Sequence, residues 1–527
     1  MFAAIVLIPP LTFIYHKLNL VDMPSPRKVH SVPIPRVGGV AIVIASMIPF
    51  IGWVTFDMSI LGMLVGVAIL FVLGVIDDAR NLSYKSKFLV QIASITLIFA
   101  SGFIDIMAAD YVVDDLLISP VLLAIYFIFI LGVTNAINLA DGLDGLAGGE
   151  ALLSFSIIGL LAYESNNSTI VLMVLAVIGA IFGFLRFNTY PAKIFMGDTG
   201  SLFLGFMLGV LSVALTYGAD NAYAKTLPLL LVGLPIFDTI MVMFIRIYNK
   251  QSPFNADRNH LHHKLLDHGY KHYHSVLIIY LIQSVFILTA YFMRYDTDLN
   301  IILAFLFRSS LAFILSLVHS RKRSLVENSY IDKTLSLGKQ YVIRNANKLF
   351  ILLAVLMVIY VVSSLFEIRG FENDILILLA TITALAMFSL IFMPRKPCSW
   401  IERVAIHVMI VMSIYFGAQA NTSILFNIIH LGLLLACVGL IIILFLGDAS
   451  KRIFGSPLDF LLIATAIVIP NLPNSPVSDS GLSILIIKLT VLFYCVEYIL
   501  FNVKNNWWAI RTTLALSACI PVFVSFL

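Results

Sequence analysis

The sequence predicts an all-α polytopic membrane protein, with about eleven membrane helices in a first module and about seven in a second. Three observations predict it. Of 527 residues, 60% are hydrophobic and only 12% are charged, whereas soluble domains carry about 25% charged residues. The mean hydropathy is +1.01. Apolar runs of roughly 17 to 23 residues recur from end to end, the length a helix needs to cross hydrocarbon. These runs are continuous, not alternating, which excludes a transmembrane barrel.

In chain order the runs fall at about 2–16, 38–56, 60–76, 87–104, 118–134, 150–163, 169–186, 200–217, 227–245, 276–292 and 299–318, then 347–366, 374–393, 402–419, 423–446, 457–470, 482–502 and 508–526. The first has no basic leader and no small-residue cleavage site, so it reads as a short span, not a signal peptide. Taking the loops alternately, all 33 Lys and Arg fall on one side except Lys225, Arg294 and Arg369 opposite and Arg308 and Lys488 within runs. Basic loops stay cytoplasmic, so both termini are expected outside. The longest basic loop divides the chain into a working module at 1–320, a linker at 321–346 and an appended membrane module of unknown role at 347–527. The four cysteines, Cys398, Cys437, Cys495 and Cys519, are scattered and suggest neither a disulfide framework nor a metal site.

The polar motifs of the first module all lie on the cytoplasmic side. VDMPSPRKVHSVPIPRVGG ends in Gly38 and Gly39. The third run ends in Asp77 and Asp78, followed by Arg80, Lys85 and Lys87. The fifth leads into GVTNAINLADGLDGLAGGE, with Asn135, Asn138, Asp141 and Asp144 at a spacing of three. That spacing would keep the four side chains on one side of a single turn, and the glycines suit a bent backbone that a ligand approaches closely. RFNTYPAKIFMGDTGS supplies Asp198, with Thr199 and Ser201 in cap-like positions. NKQSPFNADRNHLHHKLLDHG supplies Arg258, His260, His262 and His263.

Each motif has a plainer reading. A DG-rich loop often only caps two helices, and an adjacent Asp pair at a helix end is often a solvated terminus. Carboxylates there oppose the helix dipole, however, so a cation has something to offset. The H-x-H-H set lacks a cysteine, and its spacing is awkward for zinc. His268, His272 and His274 read as part of a wet loop without a role. Five carboxylates on one face repel one another unless something positive joins them. Hard oxygen ligands suit Mg²⁺ or Mn²⁺ together with substrate phosphates, and Lys and Arg would clamp the remaining phosphate charge. The reaction class this implies is metal-assisted phosphoryl transfer at the membrane surface.

The five loops, in this order and topology, resemble the polyprenyl-phosphate N-acetylhexosamine-1-phosphate transferases, which include the WecA-like enzymes and MraY. The likeness covers residues 1 to about 320, and PFNADRNHLHH matches the D-R-x-H-x-H-H form of the WecA-like branch. The resemblance implies an eleven-span fold, Mg²⁺ dependence, a UDP-N-acetylhexosamine donor and undecaprenyl phosphate as acceptor. It places the protein in a bacterial inner membrane with its active site cytoplasmic, working on cell-wall or O-antigen precursors. Its partners would be the donor, the lipid and the bilayer, with no nucleic acid; a homodimer stays open.

Carried over motif by motif, the resemblance makes Asp77 the base or the partner of the acceptor phosphate, with Asp78 beside it near the metal. Asp198 and Asn138 stand nearest Mg²⁺, while Asp141 and Asp144 lie toward the uridine end and Asn135 is counted among the substrate-binding residues. Lys87, Arg258, His260, His262 and His263 hold phosphates or sugar, and Gly38 and Gly39 border the nucleotide pocket. Two alternatives stand beside this reading: an MraY-like phospho-MurNAc-pentapeptide transferase, and a secondary transporter. Transporters carry their ionisable groups near the bilayer midplane, whereas these sit at loop level.

Overall fold

The computed structural model describes residues 1–18, 20–23, 33–53, 57–80, 82–104, 118–217, 222–252 and 259–318, with shorter stretches beyond, chiefly 351–357, 424–446, 457–464 and 482–502. The chain forms two compact units: Met1–Ser324 with Ser456–Thr465, and Leu325–Gly455 with Ala466–Leu527. The expected linker lies outside the described residues, as do the outer carboxylates Asp105, Asp110, Asp114 and Asp115.

In the first unit, α1 (Phe2–Lys17) is followed by a two-residue antiparallel pair, β1 (Val21–Asp22) and β2 (Ile34–Pro35), with Val21 opposite Pro35. Helices α2 (Gly38–Trp53), α3 (Met58–Arg80), α4 (Tyr84–Ala100), α5 (Ile118–Ala140), α6 (Leu146–Glu164), α7 (Ser168–Asn188) and α8 (Gly197–Thr216) come next. Then follow α9 (Pro228–Leu231), α10 (Gly233–Tyr248), α11 (Leu261–Asp267), α12 (His272–Phe292) and α13 (Asp298–Val318). Among the described residues six helices are long and apolar enough to cross a membrane: α3, α5 within Val121–Ala140, α6, α7, α8 and α12. The protein is a multi-pass membrane protein.

Helix α8 is the hub. It packs against α2, α3, α5 and α6 and is buried almost throughout. Its sequence explains this, because small residues let neighbouring backbones come close. A Cβ on Gly205 would lie 2.7 Å from the Thr134 Cα, and one on Gly200 would lie 2.7 Å from the Gly39 Cα. Gly74 of α3 meets α8 the same way, at 2.4 Å from the Thr199 Cα. The N-terminus of α8 is thereby fixed beside the C-termini of α3 and α5.

The run expected at 227–245 is broken at Val232. Gln283 of α12 makes good the break, accepting from the Leu234 N–H at 3.1 Å and donating to the Leu231 carbonyl at 3.2 Å. Interrupted backbone inside a bilayer needs such partners. In the same unit α15 (Pro457–Ile463) lies on α6 and α12, with Phe460 stacked on Tyr280.

The second unit contains α14 (Ile424–Leu446) and α16 (Leu482–Asn502), packed together, with Cys437 and Cys495 both buried and free. His430 bonds Ser363 at 2.8 Å.

Candidate functional site

Three helices run further than their apolar runs predict, and this moves the polar residues from loops into helix ends. Asp77 and Asp78 occupy the last turn of α3, Asn135 and Asn138 the last turns of α5, and Asp198 the first turn of α8. Lys87 projects from the first turn of α4, which starts at a Ser83 cap accepting from the Ser86 N–H.

These residues form one network. Asp77 is fully buried, accepts from the Leu82 N–H at 2.6 Å and ion-pairs with Lys87. The Lys87 ammonium also reaches Asp198 at 2.9 Å. Asn138 donates to Asp198 at 2.7 Å and to Ser201 at 2.8 Å. A single ammonium thus stands between two carboxylates, one of them on the first turn of the buried helix α8.

Asp78 does something else. One oxygen accepts from the Asp198 N–H at 2.8 Å; the other accepts from the Thr199 N–H at 3.1 Å and its hydroxyl at 2.6 Å. A carboxylate from α3 therefore caps α8, where the helix dipole favours negative charge. Thr199 and Ser201, expected as caps, lie inside the helix. Gly197 at φ +71° lets the cap close, since a Cβ there would lie 2.6 Å from the Asp78 oxygens. The structure thus adds a capping role to Asp78, which stands beside Asp198 as the sequence expects: its oxygens are engaged by backbone and hydroxyl.

Gly38 and Gly39 are both buried, donating to the Phe195 carbonyl at 2.9 Å and the Met196 carbonyl at 2.8 Å. Asn135 pairs with Gln91 of α4 at 2.8 Å and also donates to the Leu131 carbonyl at 2.8 Å. Spacing by three keeps both amides on one side of α5, but α4 takes one amide and α8 the other.

The loop after α5 is held from several sides. Asp144 accepts from the Ala192 N–H at 3.0 Å, and its own N–H is accepted by His272 Nε2 at 3.1 Å. His272 thus has a partner in the site that its wet-loop reading missed. Gly145, at φ +81°, donates its N–H to Asn188 Oδ1 at 2.9 Å, and its carbonyl accepts from the Tyr280 hydroxyl at 2.6 Å. Asp141 is the carboxylate left open: no described hydrogen bond holds its side chain. Burial first, then the charges of Asp198 and Asp78, push its carboxyl up to about 7.

His262 is buried against this loop, and a Cβ on Gly142 would lie 2.2 Å from its Nε2. Burial, with His263 beside it, drives the His262 imidazole down to about 3, so it is neutral. His263 lies 4.2 Å from it, centroid to centroid. His260 bonds Asp238 of α10 at 2.7 Å. Asp238 was missed by sequence reasoning, although an acid inside the apolar stretch GLPIFDTIMV was a signal. Arg258 lies outside the described residues. Among the described residues no three His, Cys, Asp or Glu side chains gather to hold a metal by themselves.

The helices present an acid-amide-lysine network, Asp77, Lys87, Asn138 and Asp198, at one end of the bundle. The glycosyl transferase family 4 model matches residues 60–216, the segment that carries Asp77, Lys87, Asn138 and Asp198. The chain is 37% identical over 295 residues to a probable undecaprenyl-phosphate N-acetylglucosaminyl 1-phosphate transferase of Bacillus subtilis, covering 56% of this chain and 82% of that one. It is 34% identical over 303 residues to a decaprenyl-phosphate N-acetylglucosaminephosphotransferase of Mycolicibacterium smegmatis, covering 50% and 73%. It is 27% identical over 270 residues to an undecaprenyl-phosphate alpha-N-acetylglucosaminyl 1-phosphate transferase of Escherichia coli, again covering 50% and 73%. The chain belongs to glycosyl transferase family 4, in agreement with the family resemblance of its loops.

Proposed function

We propose that the protein transfers an N-acetylhexosamine 1-phosphate from a UDP-sugar to undecaprenyl phosphate, releasing UMP, at the cytoplasmic face of a bacterial plasma membrane. The product, a lipid-linked diphosphate sugar, would open the synthesis of a cell-surface glycan. One observation carries the proposal: Asp77, Lys87, Asn138 and Asp198, from four different helices, meet in a single network at one end of the bundle. The relatives' names, which specify a polyprenyl phosphate and N-acetylglucosamine 1-phosphate, support the same reaction.

In this reaction an oxygen of the lipid phosphate attacks the phosphorus that carries the sugar. A new P–O–P bond forms, and the bond to the UMP oxygen breaks. Both reactants are anionic, so catalysis rests on positioning and charge neutralisation. Lys87 supplies fixed positive charge at the point where the phosphates meet. Asp77, held by the Leu82 N–H and Lys87, would act as base or as partner to the acceptor phosphate. Asn138 holds Asp198 in one rotamer, and the Asp78 cap holds the turn that carries it. Asp141 and Asp144 line the loop at the nucleotide end.

Mg²⁺ or Mn²⁺ fits the donor set. Asp198 and Asn138 offer hard oxygens, and the Lys87 ammonium already stands as a cation between Asp77 and Asp198. A site with one or two carboxylates, completed by substrate phosphates, is the usual magnesium arrangement; when bound, the ion would neutralise charge on the donor diphosphate. Beside the site, α10 exposes Ile240, Phe244 and Ile247 along one face, an apolar wall suited to a polyprenyl chain.

The test is product mass. Purified protein with undecaprenyl phosphate and UDP-GlcNAc, UDP-GalNAc or UDP-MurNAc-pentapeptide should give a lipid diphosphate N-acetylhexosamine and one UMP per product. Product from the pentapeptide donor alone would assign the MraY-like reaction instead, and no product from any donor would refute the proposal.

A further inference from the structure

Asp238 and Arg246 are the only charged residues of α10, GLPIFDTIMVMFIRIY. A carboxylate in so apolar a segment is expensive unless it is bonded. Both Asp238 oxygens are in fact engaged, and by adjacent residues. Oδ2 lies 2.7 Å from His260 Nδ1, and Oδ1 accepts from the Leu261 N–H at 2.9 Å. The carboxylate therefore grips one histidine by its ring and by the backbone immediately after it. That double hold fixes the ring's rotamer as well as its location.

A carboxylate only accepts, so Nδ1 must carry the proton, and Nε2 is left as the nitrogen available for other work. The His260 ring runs nearly parallel to His262, at 9° and 5.9 Å, and His262 packs on Gly142 of the DGLDG loop. His260 thus joins α10 to the wall of the site. Glu150 of α6 lies within electrostatic reach of Asp238 and adds a second acid behind the pair. The placement of α10 is itself secured by Gln283, which bonds both sides of the break at Val232.

We infer that Asp238 is a positioning residue for the transfer reaction: it fixes His260 as the Nδ1–H tautomer and so presents Nε2 toward the substrate phosphates. This rests on the reading of His260 as a member of the transferase site. A purely structural clamp, pinning the segment at 259–271 to α10, would use the same contacts. The two roles separate on substitution. Asp238→Asn keeps an oxygen for the Leu261 N–H but sets an NH₂ against Nδ1, which must then accept, moving the ring proton to Nε2. Asp238→Ala removes both bonds.

The experiment uses the full-length protein, labelled with ¹⁵N-histidine, in detergent. His260 is assigned by the resonance lost in His260→Gln. The parent should show His260 as the Nδ1–H tautomer, and Asp238→Asn should show it as Nε2–H. In the same preparations Asp238→Asn should lower kcat by about 100-fold or more, with KM for the UDP-sugar and the melting temperature nearly unchanged. Asp238→Glu should recover part of the rate. An Nε2–H tautomer in the parent overturns the inference, as does an Asp238→Asn protein within about threefold of the parent kcat. A parent without transferase activity would refute the functional reading, and the tautomer would then decide the Asp238 claim alone.

Discussion

Asp78 offers the sharpest separation between holding the site together and reacting in it. Asp78→Ala leaves three donors on the first turn of α8 without their acceptor: two backbone N–H groups and the Thr199 hydroxyl. Each hydrogen bond to a charged group contributes about 1.5–3 kcal/mol, and sharing one carboxylate makes them less than additive. The loss is then about 3–4 kcal/mol. Asp78→Asn retains one acceptor oxygen and turns an amide NH₂ toward the remaining donors, so about half that loss is expected. At roughly 2 °C per kcal/mol for a unit of this size, Asp78→Ala should melt about 6–8 °C below the parent and Asp78→Asn about 3–4 °C below. Circular dichroism of detergent-solubilised protein reads this directly. An Asp78→Ala protein melting within about 1 °C of the parent would refute the capping account.

The other predictions follow from the same geometry. Asn135→Ala removes the amide pair with Gln91 and a bond to the Leu131 carbonyl, so stability should fall by about 1–2 kcal/mol while UMP release stays near the parent rate; Asn138→Ala should cause a large loss of rate. Asp141 has a folded-state pKa of about 7, above its ordinary value of 3.8. Its contribution to stability is therefore full at acid pH and is lost as pH rises toward 7. Asp141→Asn should flatten the fall in melting temperature between pH 5 and 7, and an unchanged slope would rule out that ionisation.

Much of the fold was legible in the sequence because long apolar runs and one-sided basic loops are imposed by the bilayer itself. The residues that meet in the site were legible too, as carboxylates, amides and a lysine that have no reason to be there in a plain bundle. Their partners were harder to read. Asp77 and Asp78 are adjacent, yet one faces Lys87 and the other the end of α8, because successive residues point about 100° apart on a helix. The glycine pair at 38–39 also serves close packing that no local pattern announces: Gly38 meets Phe184 of α7 and Gly39 meets the α8 backbone at Gly200. Asp238 sits twenty-two residues before His260 and joins it only through the return of the chain at α11, which no local pattern encodes. Apolar runs also understate helices whose ends carry the chemistry, since polar terminal turns fall below any hydropathy threshold.

The central claim is that Asp77, Lys87, Asn138 and Asp198 act together on a sugar diphosphate. The most direct measurement is UMP release by purified Asp198→Asn protein supplied with undecaprenyl phosphate and UDP-GlcNAc, alongside its melting temperature. The account predicts a rate down by orders of magnitude in a protein that still unfolds near the parent temperature. Turnover near the parent rate in that folded variant would contradict it.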